Sequence, residues 1–152
     1  ICIMTPTETI LSKMPMIKDQ VDYEKLYHEI LNKYEGGNGI VIFEKLGVIF
    51  GSSKQTAFSM GYQSGAVEMA CIGLSIPYAK IPAKDWQKRM FTGVDEITKA
   101  GTTKRDTKAM ALVAAKRLYP NVKLTLGDRS NKPHDGAVDA LLMAGYAQIM
   151  YP

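Results

Sequence analysis

A chain of 152 residues with 46% hydrophobic positions is long enough to bury one substantial core and too short for two ordinary domains, so a single domain over residues 1–152 is expected. Nineteen Lys plus Arg against fifteen Asp plus Glu leave a formal charge of +4, which suits a polyanionic partner without demanding one. Cys2 and Cys71 stand in no metal-ligand spacing and are too few for a disulfide scaffold, and no signal-peptide pattern or apolar run of about eighteen residues is present, so a soluble protein with reduced thiols is expected. In chain order, ICIM and the run over 9–17, joined by the turn TPTE, predict two antiparallel strands of a hairpin. Behind Asp19 or Asp22 as a cap, Tyr23, Leu26, Tyr27, Ile30, Leu31 and Tyr34 recur at helical spacing, and Gly36 and Gly37 end that helix. GIVIFE, over 39–44, is short, almost wholly apolar and bounded by glycine, as a central strand covered on both faces would be. A loop over 45–55 leads to a long predicted helix over 56–74, on which Gly61 and Gly65 share one face where another backbone could approach. SIPYAKI reads as a strand, 83–91 as a short helix, 104–119 as a further helix beyond a polar loop with Gly93 and Gly101, and the last helix starts near Asp135.

KPHDGAVDALL, near the end of the chain, places an acid inside an apolar helical stripe. Residues three or four apart share a helix face, so Asp135, Asp139, Leu142, Met143 and Tyr146 fall together. An N-cap or first-turn acid accounts for Asp135 by itself. Asp139 stands among Ala137, Val138, Ala140, Leu141 and Leu142, and burying an unpaired carboxylate there would cost several kcal/mol. A divalent cation with a preference for carboxylate oxygen, such as magnesium, would offset that cost. Glu44 presents the same pattern on a strand. Four apolar residues run into it at the carboxyl end, the edge of an α/β sheet at which ligand sites form. Carboxylates converging from different elements are what a two-metal phosphodiester nuclease requires.

IVIFE, MGYQSGAVEMA, IPAKDWQKRMFTG and HDGAVDALLMAGYA occur in an order that resembles the RuvC-like Holliday junction resolvases, in their phage- and organellar-type branch of the RNase H-like superfamily. The resemblance covers nearly the whole chain and implies an α/β fold of RNase H type, a mixed central sheet flanked by helices. It further implies a magnesium-dependent endonuclease, with manganese as a substitute, in which four acidic positions hold two ions and water attacks the scissile phosphate in line. Glu44 matches the second acidic position and Asp139 the last. Many relatives carry the third ligand three residues before the final Asp, where this chain has Gly136. Asp135, one residue earlier, projects about 40° from Asp139 around the helix, whereas His134, about 140° away, competes for the role from the preceding loop. The family's first aspartate lies in a strand ahead of the first hairpin, so a strand upstream of Ile1 is expected to supply it.

The resemblance also implies four-way junction DNA as the substrate, a homodimer making paired cuts, no membrane partner, and roles in DNA recombination and repair. The expected location is intracellular: the cytoplasm of a bacterium or infected host cell, or an organelle. Lys88 and either Lys104 or Arg105 match basic positions near the substrate, and Phe50, in the loop after Glu44, matches an aromatic at the junction's centre. Trp86 reads as core packing. Two other readings follow from the same residues: a catalytically incomplete junction-binding protein, and a less selective RNase H-like nuclease cutting branched DNA or RNA/DNA hybrids. Gly61 and Gly65 would form the dimer seam or let their helix lie on its own sheet.

Overall fold

The computed structural model describes residues 1–34, 39–47, 53–127 and 131–152, and shows a mixed α/β protein with small sheets. Its elements are β1 (Cys2–Met4), β2 (Thr9–Leu11), β3 (Met16–Ile17), β4 (Gln20–Val21), α1 (Tyr23–Lys33), β5 (Val41–Glu44), α2 (Lys54–Gly73), β6 (Tyr78–Ile81), α3 (Ala83–Met90), α4 (Thr107–Leu118) and α5 (Asp135–Met150). They group into two compact units, one made of Ile1–Lys13 with Lys84–Pro152 and the other of Met14–Ala83. No helix among the described residues is long and apolar enough to cross a membrane.

In the first unit β1 and β2 pair antiparallel, from Cys2 opposite Leu11 to Met4 opposite Thr9. The Thr5 hydroxyl closes the turn by accepting from the Glu8 amide at 2.9 Å, and the Thr5 amide donates to the Glu8 carbonyl at 2.8 Å. The expected second strand over 9–17 is therefore too long. Pro15 has no amide proton to offer a ladder, and Met16–Ile17 instead pair with Gln20–Val21 across a turn that holds Lys18 at φ 55°. The core of this unit is formed by Trp86, Met90 and Phe91 at α3, by Met110, Ala111, Ala114 and Ala115 on α4, and by Ala137, Val138, Leu141 and Leu142 on α5. α5 packs against both β1 and α4. Trp86 is 1% exposed and meets Phe91 edge to face, so it belongs to the core, as its sequence context suggested.

α4 starts at Thr107 and not at the expected 104, because the Asp106 carboxylate accepts from the Ala109 amide at 3.1 Å and caps the helix there. Lys104 and Arg105 consequently lie in the preceding loop. That loop is tied down by the Lys99 amide on the Lys104 carbonyl at 2.8 Å and by the Asp106 amide on the Ile97 carbonyl at 2.7 Å, with Gly101 turning at φ 68°.

In the second unit β5 and β6 run parallel, with Val41 opposite Tyr78 and Glu44 opposite Ile81. β6 begins only after Pro77, whose carbonyl accepts from the Val41 amide at 2.9 Å. Among the described residues β5 pairs with β6 alone, and its apolar residues are half-buried, in contrast to the expected central strand covered on both faces. The following helix, α2, reaches this pair through Glu68, whose carboxylate accepts from the Tyr78 hydroxyl at 3.0 Å and is ion-paired with Lys80. Of its apolar side chains Cys71 is buried, while Phe58, Tyr62, Met69 and Ile72 stay exposed.

Two predictions follow from this packing. A Cβ placed on Gly145 would run into the Tyr119 hydroxyl and come within 3.1 Å of Met90 Cε. Gly145→Ala should therefore cost about 1–3 kcal/mol through overpacking, read as a lower urea midpoint with unchanged slope. The Lys80 hydrogen bond, with help from Tyr78, holds Glu68 below its ordinary carboxylate range. Its contribution to stability is complete above that range and is lost as pH falls through the lowered value. Urea midpoints of the wild type and Glu68→Gln should differ near neutrality and converge in acid.

Candidate functional site

The amino end of α5 is fixed by His134. Its amide donates to the Leu124 carbonyl at 2.9 Å, and its Nδ1 accepts from the Ala137 amide at 3.3 Å, which makes it the helix N-cap. A Cβ at Gly136 would lie 3.3 Å from His134 Cε1, so the imidazole lies close over the first turn. With Nδ1 accepting from the Ala137 amide, that nitrogen is engaged in the cap. His134 caps α5 and Asp135 follows it in the first turn.

Asp135 occupies the first turn and Asp139 lies one turn further along the same face. Asp135 Oδ2 accepts from Lys108 Nζ, reaching over from α4, at 2.7 Å, with both side chains well exposed. The hydrogen bond to Lys108 holds the Asp135 carboxyl below its ordinary range, with the nearby charges of Lys132 and His134 acting in the same direction. Lys108 is held up in turn, first by Asp135 and then by the negative potentials of Asp139 and Asp106. Lys108 therefore faces a carboxylate environment. No local spacing announces this, because the pair is 27 residues apart and depends on α4 packing against α5.

Asp139 is half-buried, not buried, and no charged residue is buried among the described residues. The desolvation cost expected from its apolar neighbours is correspondingly smaller: Ala137, Val138, Leu141 and Leu142 point into the core while Asp139 keeps access to water. Glu44 ends β5 at the carboxyl edge of the parallel pair, is exposed, and makes no ion pair among the described residues, so the neighbouring Lys45 does not neutralise it. It belongs to the second unit, whereas Asp135, Asp139 and His134 belong to the first. Among the described residues no group of three or more His, Cys, Asp or Glu side chains is gathered closely enough to hold a metal ion. The donor chemistry of the α5 pair nevertheless suits a hard cation, since its carboxylate oxygens already attract the Lys108 ammonium.

Lys88 and Arg105 line one open pocket of about 360 Å³ together with Lys84, Gln87, Phe91 and Thr92, all within the first unit. Lys104, the alternative to Arg105, does not line it. Phe50 lies outside the described residues. Cys2 and Cys71 are free thiols.

These features define a mixed α/β protein with an acidic helix face and a separate basic pocket. Compared with protein-family models and with curated protein sequences, the chain matches none.

Removing the Lys108 ammonium should let the Asp135 carboxyl titrate closer to its ordinary value. Carboxyl-detected NMR titration of Lys108→Ala is expected to show Asp135 protonating at higher pH than in the wild type. His134→Ala should lose about 1 kcal/mol of stability as a missing cap, and His134→Asn should recover most of it. Recovery by Asn, read from thermal or urea unfolding, marks the residue as a cap.

Proposed function

We propose that the chain is an RNase H-like nuclease domain of a magnesium-dependent, structure-selective endonuclease that resolves four-way DNA junctions, as its resemblance to the RuvC-like resolvases implies. The observation that carries the reading is the pair Asp135 and Asp139 on one face of α5, with Asp135 ion-paired to Lys108. Glu44, Asp135 and Asp139 are the side chains that would hold the divalent ions. When bound, such ions polarise a phosphoryl oxygen and lower the pKa of a water. The chain's own contribution is to fix the carboxylates: the His134 cap sets where α5 begins, and packing of its apolar residues sets which way the acids project. Lys108 balances the acids' mutual repulsion when no ion is present.

A homodimer with two such sites suits the symmetric cutting of a junction. Support comes from α2, where Phe58, Tyr62, Met69 and Ile72 are all at least half exposed. With Gly65 they repeat at alternating steps of four and three, the period of a helix seam. A Cβ at Gly61 or at Gly65 would meet nothing within 4 Å, so neither glycine serves close packing of α2 on its own sheet.

The full-length protein is expected to cut a synthetic immobile junction with magnesium and to leave linear duplex and RNA/DNA hybrid intact. Glu44→Gln and Asp139→Asn should each abolish cutting while leaving junction binding within a few-fold of wild type. Wild-type cleavage by either variant would remove that residue from the site. Sedimentation velocity at micromolar concentration should show a dimer that Met69→Glu dissociates, and a monomeric wild type with or without junction would count against the seam.

A further inference from the structure

We infer that the Lys108 ammonium is a tethered competitor for the cation of the α5 carboxylates: it holds Asp135 when no divalent ion is bound and has to withdraw before one can be, so that Lys108 sets how much free ion the face needs to load. The inference rests on the proposed reading of this face as a divalent-ion site and concerns the regulation of that site.

Folding stability does not account for the pair. Lys108 is the second residue of α4, and a cation in a first turn opposes the helix dipole. Asp135, in the first turn of α5, is favoured there by the dipole of its own helix and needs no lysine to hold the position. The two side chains are 75% and 62% exposed, and an ion pair so open to water contributes little to folding. What the pair achieves is electrostatic. It seats a positive charge 2.7 Å from Asp135 Oδ2, an oxygen that a hard cation would also use. Lys108 is in that sense a stand-in ion carried by the chain itself.

The surroundings suit an exchange. Lys108 feels three carboxylates, first Asp135, to which it is bonded, and then Asp139 and Asp106. The Asp106 carboxylate is committed to the Ala109 amide as the cap of α4, so it acts on the ammonium through its field. A divalent ion in the place of the ammonium would interact with each carboxylate about twice as strongly, because its charge is doubled. Lys108 can leave without disturbing the helix that bears it. Its four-carbon stem is flexible, whereas α4 is held by the buried Met110, Ala111, Ala114 and Ala115 on its other side. The residue type fits the same role. An ammonium is a point charge that lets go of a carboxylate readily, whereas a guanidinium would grip it through two parallel hydrogen bonds.

Magnesium binding to the full-length protein without DNA, measured by calorimetry, tests the inference. Lys108→Met, which keeps the stem and removes the charge, is expected to bind magnesium about three- to tenfold more tightly than the wild type. Lys108→Arg should bind it less tightly than the wild type. Lys116→Met removes an exposed cation from the last turn of α4, too far away to act through salt, and should bind as the wild type does. In the wild type the NMR signals of the Lys108 ε-methylene should move toward those of an unpaired lysine as magnesium saturates. Equal affinities in the wild type and Lys108→Met, or a Lys108 signal that stays in place while magnesium binds, would overturn the inference and leave the proposed function standing. Unchanged affinity in both Asp135→Asn and Asp139→Asn, or no binding by the wild type and by every variant, would instead take the ion away from α5, and the proposed reading of this face would fall together with the inference.

Discussion

The seating of α5 between β1 and α4 is the constraint from which the first unit takes its form. The helix is apolar around most of its circumference, with Ala137, Val138, Leu141, Leu142, Met143 and Ala147 all buried, so only a narrow strip of its first two turns reaches water. Asp135 and Asp139 occupy that strip. Starting the helix one residue earlier or later with the same neighbours would rotate each side chain by about 100°, driving a carboxylate toward the core and a leucine toward solvent. The hydrophobic pattern thus sets the direction of the acids, and the His134 cap, tied back to the Leu124 carbonyl, sets the position from which that pattern is counted.

What could be read beforehand divides along the range of the interactions involved. The bounds of α1, α3 and α5 follow from local signals: Asp22 accepting from the Lys25 amide, the spacing of Trp86 and Met90, and the apolar run after Asp135. The break at Pro15 was also local, yet the β-prone residues on either side of it masked a change of partner, since whether Met16 continues one ladder or starts another depends on a strand that follows it. The start of α4 at Thr107 depended on which of several polar residues supplied the cap, and Asp106 outcompeted the earlier ones.

The acidic face shows a similar division. Its carboxylates were legible because their spacing is helical, but two of their properties were not. Half-burial of Asp139 depends on how much of the strip its neighbours cover, which a hydrophobic pattern does not specify. The pairing of Asp135 with Lys108 depends on the contact of two helices that a long polar connection separates in sequence. Conversely, Lys88 and Arg105 stand out in the sequence as clustered cations that match basic positions by resemblance, and their common pocket requires α3 and a loop from beyond it to meet.

The net charge of +4 is therefore a poor description of the surface a partner would meet. Lys108 sets a single positive charge against three carboxylates, Asp135, Asp139 and Asp106. Lys84, Lys88 and Arg105, all exposed, have no such acids lining their pocket, so the field there is positive. One region attracts cations to its carboxylates and the other attracts anions. Because both are set in one unit by α3, α4 and α5, a ligand carrying phosphate groups would be drawn to the second without neutralising the first.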